Sequence, residues 1–183
     1  MGGKSTILRQ SCLAVIMAQV GCFVPCTSIR LTPVDRIFTR LGASDRLLEG
    51  KSTFFVEMEE CQSVIKHATF KSLAILDELG RGTSTFDGYS LAHSVLNYLI
   101  DRIQCRTMFS THYHMLIEDF KKKDGVEAYH MSYRSNEAED QVLFLYKFIK
   151  GDCPKSFGIN VARMAGIPRP ILNSARLKSD QFS

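Results

Sequence analysis

Short apolar runs, separated by longer amphipathic segments, occupy the first two thirds of the chain. The runs are Val34–Arg40, Leu73–Leu76 and Arg106–Ser110. Their length and apolar content predict buried strands. Because helical segments separate these runs, the alternation predicts an α/β fold with a mostly parallel sheet, right-handed crossovers and helices on both faces of the sheet.

Three segments place apolar residues at the spacing of an α-helix. They are residues 5–20, the segment from Ser52 to about His67, and the segment from about Gly88 to Ile103. In the second segment the apolar residues, spaced four, three and four apart, are Phe54, Met58, Cys61 and Ile65. In the third they are Ala92, Val95, Leu96, Leu99, Ile100 and Ile103. Each set is predicted to face the core.

The pattern changes beyond Phe120. Val126–Arg134 and Val142–Lys150 have the composition of strands, and they flank the polar segment Ser135–Gln141. Two strands joined by so short a segment pair antiparallel. The pattern therefore predicts an antiparallel hairpin at the edge of the sheet.

Two short helices are predicted to end the chain, Ser156–Ala165 and Pro168 to about Lys178. Proline suits the first turn of a helix. The pair resembles a helix-turn-helix, but the second helix has few side chains that could read a DNA groove, so packing or dimerisation is the better interpretation. We therefore divide the chain into residues 1–150 and a helix-turn-helix-like dimerisation element over residues 151–183.

Composition narrows the class of protein. At 183 residues and 45% hydrophobic content the chain can bury a substantial core. The net charge of +4 is too small to indicate a nucleic-acid groove, and Lys121–Lys123 is predicted to be a solvated loop. The six cysteines lack C-x-x-C spacing, so reduced core residues of an intracellular protein are expected rather than disulfides or a zinc site. No segment is long and apolar enough to span a membrane.

The acidic end of the second predicted strand carries the strongest chemical signal. Leu73–Leu76 leads into Asp77 and Glu78, which places two carboxylates where open α/β sheets bind ligands. The first can hold Mg²⁺ and the second can activate a water molecule. The turn Gly80–Gly82 lets the backbone leave the strand with φ values that other residues avoid. Acids at a strand end can also serve only as caps, so this stretch alone leaves the function open.

The first residues, Met1-Gly2-Gly3-Lys4-Ser5-Thr6, match the second half of a phosphate-binding loop, G-x-x-x-x-G-K-[ST]. In such a loop the backbone N–H groups surround phosphate, the lysine reaches the β- and γ-phosphates, and the hydroxyl binds Mg²⁺. The helix that follows directs its positive N-terminus at the phosphates. The alternative is a disordered terminus that contains these residues by chance. The acidic strand downstream favours the nucleotide site.

Part of that loop lies outside the chain. Its first glycine and the strand that leads into it would precede Met1. That strand is expected inside the sheet, beside the strand that bears Asp77. The chain is therefore expected to be a fragment, or to begin at a start codon assigned inside a longer reading frame.

Taken in order, these motifs resemble the C-terminal ATPase region of the MutS family of DNA mismatch-repair proteins, which is related to the ABC-type ATPases. The matching segments are Gly2–Thr6, Ser52–Met58, Asp77–Thr85 and Ser110–Tyr113. Three further segments look most like the eukaryotic branch called MutS homologue six. They are Phe38–Arg46, Ser52–Glu57 and Phe144–Gly151.

The resemblance implies a P-loop NTPase fold of the ABC type. Residues 1–150 would be a MutS-type ATPase domain, truncated within the phosphate loop, that uses ATP and Mg²⁺. The family likeness also implies a nuclear location and a heterodimer with a MutS homologue two-like subunit, without membrane contact. Mismatched double-stranded DNA would be bound through domains absent from this chain.

For the phosphate-binding residues, the resemblance implies that Lys4 binds the terminal phosphates. The N–H groups of Gly2 and Gly3 would bind phosphate oxygens, with Thr6 completing the nucleotide-binding motif. Ser5 would coordinate Mg²⁺.

Four further residues would act around the reacting phosphate or at the partner's site. Asp77 would support the Mg²⁺ ion and Glu78 would activate the attacking water. His112 would sense or hold the γ-phosphate, although a lone histidine at a strand end is often only structural. Ser52, itself a suitable helix N-cap, would serve the partner's ATP site in trans.

Three functions remain open at this point. The first is a heterodimerising ATPase module of a mismatch-recognition protein. The second is a nucleotide-binding and dimerisation module without catalysis, because half of the phosphate loop is missing. The third is the nucleotide-binding subunit of an ABC transporter. The transporter signature Leu-Ser-Gly-Gly-Gln is absent, however, and Ser52–Met58 takes its place.

Overall fold

The computed structural model describes residues 2–42, 52–136, 141–153 and 157–181. Contacts divide the chain into two compact units, Lys4–Val126 and a smaller one made of Met1–Gly3 and Glu127–Ser183. The predicted boundary at residue 150 falls inside the smaller unit, because the hairpin groups with the helices that follow it.

The described part of the larger unit contains four α-helices, a π-helical segment and three strands. In chain order these elements are α1 (Lys4–Gln19), β1 (Ile37–Arg40), α2 (Thr53–His67), β2 (Leu73–Asp77), α3 (Thr85–Tyr98), the π-helical segment Leu99–Ile103, β3 (Arg106–Ser110) and α4 (His114–Phe120). Residues 43–46 of the segment Phe38–Arg46 lie outside the described residues.

β2 is the central strand of a three-stranded sheet with the order β1–β2–β3. Both pairings are parallel, with Ile37 opposite Leu73 and Asp77 opposite Ser110. The predicted parallel sheet is therefore confirmed. β2 is paired with β1 along one edge and with β3 along the other. Neither edge is open to the strand that leads into the phosphate-binding loop, so the expectation that this strand lies beside β2 is wrong.

β1 begins at Ile37, three residues later than predicted. The backbone of Val34 is bound instead by the side chain of Gln19. The Val34 N–H donates to Gln19 Oε1 at 2.5 Å, and the Val34 carbonyl accepts from Gln19 Nε2 at 3.2 Å. Since these bonds satisfy both backbone groups, Val34 joins the core under α1 without joining the sheet.

The two faces of β2 pack against different helices. Ile75 contacts the buried Leu8 and Cys12 of α1, and Leu76 belongs to a cluster with Val64 of α2. Helices therefore cover both faces of the strand, as predicted. Complete burial of a side chain such as Ile75 contributes about 1.5–3 kcal/mol, so this strand is firmly anchored.

α2 begins and ends as predicted, but its buried face differs. Its fully buried residues are Val56, Glu57, Cys61 and Val64. Of the predicted set only Cys61 is among them, and Ile65 is 36% exposed. The predicted face is therefore confirmed in part, since Met58 also packs against the core around Cys61, but the spacing of apolar residues could not assign a core position to the carboxylate of Glu57.

α3 begins at Thr85, before the predicted Gly88, because the Ser84 side chain caps the helix by accepting from the Asp87 N–H at 3.3 Å. The helix continues into the π-helical segment. That segment ends where Gln104 adopts a left-handed conformation, with φ of 58°. The predicted core stripe is confirmed, since Ala92 and Leu99 are almost fully buried and the other four predicted residues pack against the same clusters.

The smaller unit contains an antiparallel hairpin of β4 (Tyr129–Asn136) and β5 (Gln141–Lys150). The predicted pairing is confirmed. The predicted place at the edge of the parallel sheet is wrong, because the described residues of the hairpin form a two-stranded sheet of their own. Residues 137–140 of the predicted turn lie outside the described residues.

Two helices follow, α5 (Gly158–Met164) and α6 (Arg169–Asp180). Ser156, the predicted first residue of α5, lies outside the described residues. Gly166 turns the chain with φ of 85°, and the Ile167 N–H donates to the Ala162 carbonyl at 3.1 Å. This hydrogen bond closes α5 before α6 begins.

The described cysteines are all free thiols. Cys12 and Cys61 are core residues as expected, but Cys22 and Cys26 are exposed. The lysine run follows the end of α4, where the Lys121 side chain is 36% exposed and pairs with Glu118. Within the described ranges, none of the helices combines the length and apolar character that crossing a membrane requires.

Candidate active site

The N-terminus of α1 meets the carboxyl ends of β2 and β3. The Ser5 hydroxyl donates to Asp77 Oδ2 at 2.5 Å, and the Ser110 hydroxyl donates to the other oxygen, Oδ1. Asp77 is only 6% exposed. Ser5 and Asp77 are thus in contact, as a shared metal site requires. The sequence analysis missed the contribution of Ser110, which is positioned by its register opposite Asp77 in the sheet.

Glu78 is the more accessible of the two acids. Lys4 Nζ lies 3.3 Å from Glu78 Oε1, and Arg81 Nη1 lies 2.8 Å from Oε2. The side chains of Lys4 and Arg81 are 44% and 76% exposed. Exposed ion pairs contribute only about 0–1 kcal/mol. A charged ligand could therefore replace either partner at little cost.

The backbone of Glu78 has a positive φ of 54°. Its N–H donates to the Ser110 carbonyl at 3.0 Å. The sheet pairing is in this way continued one residue past β2, while the left-handed conformation turns the chain out of the strand. Strained backbone of this kind is common at functional sites.

The turn after Glu78 contains two glycines, as predicted. Gly80 is required mainly by its backbone conformation, whereas Gly82 is favoured by lack of space. Gly80 has φ of 90°, and a Cβ there would lie 2.4 Å from the Gly88 carbonyl oxygen. At Gly82 the limit is space, since a Cβ would lie 3.0 Å from the Cβ of Phe54 in α2. The loop is therefore packed closely against its neighbours on both sides.

Two buried side chains that the sequence analysis missed support this loop. Glu57, 2% exposed, accepts from the Gly80 N–H at 2.5 Å. Its other oxygen lies 3.3 Å from Arg40 Nη2. The one feature of the sequence that could have indicated the burial of Glu57 is its place next to apolar Val56 in a predicted amphipathic helix. Sequence spacing alone, however, does not distinguish a buried glutamate from a solvated one.

His112 follows β3, where the sequence predicted it. Its ring lies 4.1 Å from that of Tyr113, measured between centroids. Burial lowers the pKa of His112 below its ordinary value of 6.5, an effect that the Glu78 carboxylate opposes and that the Arg81 and Lys4 cations assist. The imidazole is therefore mainly neutral at pH 7.

The other predicted residues, Ser52, Thr6, Gly2 and Gly3, have the following local environments. Ser52 caps α2 by accepting from the Phe55 N–H at 3.2 Å. Thr6 is exposed in the first turn of α1. Gly2 and Gly3 belong to the smaller unit, where a Cβ on Gly2 would lie 3.2 Å from the Cβ of Met131. Direct contacts therefore join Lys4 to Glu78 and Ser5 to Asp77, but not the other predicted residues.

The oxygen atoms around Asp77 suit a hard cation. Magnesium takes oxygen ligands, keeps several waters and binds through one or two carboxylates together with phosphate oxygens. Among the described residues no cluster of three or more His, Cys, Asp or Glu side chains is arranged to hold a metal. Asp77 and Ser5 are therefore the residues here that could hold such an ion.

Comparison with known proteins gives consistent matches over the chain. The family model of MutS domain V matches residues 1–183. The chain is 54% identical to the DNA mismatch repair protein Msh6 of Gallus gallus and 53% identical to that of Homo sapiens, each over 187 aligned residues that cover 100% of the chain. The DNA mismatch repair protein MutS of Orientia tsutsugamushi is 48% identical over 176 residues and 96% of the chain. The chain spans 14%, 14% and 20% of the lengths of these relatives.

Proposed function

The chain belongs to the MutS family of DNA mismatch-repair proteins and is most like its Msh6 members, and from this premise we propose that it binds and hydrolyses ATP. The observation that carries the proposal is the contact of Ser5 with Asp77 beside the Lys4–Glu78 ion pair. These side chains begin a helix and end a buried strand, the two places where P-loop NTPases hold phosphate and Mg²⁺. The family assignment also removes the transporter hypothesis.

ATP would bind at the N-terminus of α1. Lys4, released from Glu78, would pair with the terminal phosphates, and Ser5 and Asp77 would hold Mg²⁺. The ion would supply charge neutralisation on the phosphoryl group. The N–H groups of Gly2 and Gly3 and the residue Thr6 complete the nucleotide-binding set in this proposal.

Glu78 would activate the attacking water. Its carboxylate has only exposed cationic partners, so the arrival of phosphate on Lys4 would leave one carboxylate oxygen free to accept the proton of water. General base catalysis of this kind accelerates a reaction by about 10²–10⁴. His112, mainly neutral at pH 7, would donate a hydrogen bond to the γ-phosphate.

The same proposal extends to assembly. Residues 1–150 would form an ABC-type P-loop ATPase domain, and the helix-turn-helix-like residues 151–183 would assist dimerisation. The partner would be a MutS homologue two-like subunit whose ATP site receives Ser52 in trans. Mismatched double-stranded DNA would be bound by other parts of the assembled protein, in the nucleus.

The alternative is a nucleotide-binding and dimerisation module without catalysis. The observation that favours it is the position of Gly2 and Gly3, which pack against Met131 in the hairpin of the smaller unit. If that packing persists in solution, the phosphate loop is incomplete and turnover is absent.

The test is Mg·ATP turnover by the complete natural protein with its partner subunit, compared with Glu78→Gln and with Glu118→Gln as a matched control. Glu118 is an exposed glutamate that pairs with Lys121. We expect Glu78→Gln to bind ATP normally and to lose turnover by about 10²–10⁴-fold. Unchanged turnover in Glu78→Gln would exclude Glu78 as the catalytic base, and absence of turnover in the wild type would favour the alternative.

A further inference from the structure

We propose that Glu57 is a positioning residue that couples the N-terminus of α2 to the loop carrying Glu78. A ligand or partner that displaces the start of α2 would then change the rate at Glu78. This inference rests on the proposed ATPase function. It means that the rate of ATP hydrolysis would be regulated through α2, the helix capped by Ser52.

The link consists of one carboxylate with two partners. Glu57 Oε1 accepts from the Gly80 N–H at 2.5 Å, two residues after Glu78. Glu57 Oε2 lies 3.3 Å from Arg40 Nη2, and both side chains are at least 90% buried. Removing one partner from such a pair leaves an uncompensated buried charge. The carboxylate is therefore held firmly, and Gly80 is held with it.

Gly80 is restrained on its other sides as well. The Tyr113 hydroxyl donates to the Gly80 carbonyl at 3.1 Å, so both polar groups of this residue are bound by side chains from outside the loop. A Cβ on Gly80 would lie 2.4 Å from the Gly88 carbonyl oxygen, which shows how closely α3 approaches. Because the loop has no free space here, its position depends on these neighbours.

α2 touches the loop at a second point. Gly82 packs against Phe54, where a Cβ would lie only 3.0 Å away from the Phe54 Cβ. Phe54 and Glu57 lie within five residues of Ser52, the N-cap of the same helix. The first turns of an α-helix are joined by backbone hydrogen bonds and move together. Displacement of the cap is therefore transmitted to Gly80 and Gly82 at once.

The competing explanation is that the Arg40–Glu57 pair only stabilises the fold. Two conservative substitutions separate these roles. Glu57→Gln keeps the reach and the acceptor oxygen for the Gly80 N–H but loses the charge opposite Arg40. Glu57→Asp keeps the charge but is shorter by one methylene, so it withdraws the acceptor from Gly80. Glu60→Gln is the control, because Glu60 Oε2 also faces Arg40, at 3.4 Å from Nε, without binding the loop.

Steady-state kinetics of the complete natural protein in its native assembly provides the first readout. We expect Glu57→Asp to lower kcat by about tenfold to 10²-fold, the cost of a small displacement of a catalytic group. KM and equilibrium ATP affinity should change less than about threefold, since Lys4 and Ser5 are untouched. Glu60→Gln should remain within about threefold of the wild type in kcat, and Glu57→Gln, which keeps the acceptor for the Gly80 N–H, should retain more kcat than Glu57→Asp.

A double-mutant cycle provides the second readout. Ser52→Ala and Glu57→Asp should be non-additive in kcat, because the second substitution disconnects the helix cap from the loop. Coupling in kcat without matching coupling in the free energy of unfolding distinguishes this role from a merely structural one. Multiplicative effects of the two substitutions would overturn the proposal. So would the reverse order of the variants, in which Glu57→Gln is impaired and Glu57→Asp is normal.

The Glu78→Gln variant separates this inference from the proposed function. If wild-type turnover is abolished by Glu78→Gln but kcat is normal in Glu57→Asp, the ATPase proposal stands and only the positioning role fails. If the wild type shows no turnover, the proposed function itself fails, and if Glu78→Gln keeps full turnover, only the catalytic role of Glu78 and the positioning role that depends on it fail. Thermal unfolding of each variant, measured alongside, ensures that the kinetic comparison uses folded protein.

Discussion

Two glutamates on either side of the same loop have opposite environments. Glu78 has cationic partners whose side chains are 44% and 76% exposed, whereas Glu57 has a buried arginine and a buried backbone N–H. Exposed ion pairs are weak and exchange partners readily. Buried pairs are costly to break once formed. The comparison teaches that one acid is suited to react and the other to hold the reacting group in place.

The largest expected effect is on stability. Glu57→Ala should lower the free energy of unfolding by up to about 3–5 kcal/mol, because it removes the buried partner of Arg40 and leaves that guanidinium with the partly exposed Glu60. Glu78→Ala should lower it by less than about 1 kcal/mol. Urea denaturation of both variants measures the difference. Equal effects would contradict the contrast drawn between the two glutamates.

A double substitution sharpens the same comparison. Arg40→Met combined with Glu57→Leu should cost less stability than Glu57→Leu alone, because no buried charge is left unpaired. Some loss should remain, since the Gly80 N–H still lacks its acceptor. A double variant less stable than the single one would show that the ion pair is not the main source of the cost.

Next in size is the effect of Lys4 on binding. Lys4→Ala should weaken ATP binding by roughly tenfold or more, since hydrogen bonds to charged groups contribute about 1.5–3 kcal/mol. Equilibrium titration with a fluorescent ATP analogue in the complete protein measures this. The expected result for Glu78→Gln in the same titration is near-normal affinity. An unaltered affinity in Lys4→Ala would exclude the proposed phosphate contact.

A chemical probe distinguishes the buried side of the loop from exposed parts of the chain. Burial and the nearby Glu57 carboxylate raise the pKa of Cys61 to about 11, against the effect of Arg40. Because the thiolate is the reactive form, Cys61 should resist alkylation at pH 8, while exposed Cys22 and Cys26 react quickly. Peptide mapping after a short exposure to iodoacetamide reads this out, and rapid labelling of Cys61 would contradict its burial beside Glu57.

The smallest expected effect concerns pH. The folded state lowers the pKa of His112 below 6.5, so protonation favours the unfolded chain. The contribution of His112 to stability is therefore present above pH 6.5 and is lost as the pH falls through the lower pKa of the folded state. Urea unfolding at a series of pH values should show this slope in the wild type. His112→Asn should reduce the slope, and an identical slope would exclude His112 as its source.

The site was predicted from sequence as far as local patterns reach. A buried apolar run ending in two acids, and a Gly-Lys-Ser segment opening a helix, are local features. The structure joins them through the contact of Ser5 with Asp77 and of Lys4 with Glu78. The roles of these residues in ATP chemistry stay predictions, as does the role of Ser52.

Other features could not be predicted. Glu57 reaches Gly80 across 23 residues of sequence, and no local spacing shows that contact. Val34 leaves the sheet because a distant glutamine side chain takes its hydrogen bonds. The hairpin of β4 and β5 was recognised as a pair of strands, but local patterns could not show that it forms a two-stranded sheet of its own.

The sequence by itself determined the alternation of strands and helices, the parallel sheet, the placement of Asp77 and Glu78 at a strand end and the family. These follow from the periodicity of apolar residues and from short motifs, both of which are read within a few neighbouring positions. Only the tertiary structure decided which acid is buried, which backbone groups it binds and which face of α2 enters the core. Burial and charge pairing are properties of three-dimensional contacts, and a glutamate has the same chemistry in the sequence whether it is solvated or enclosed.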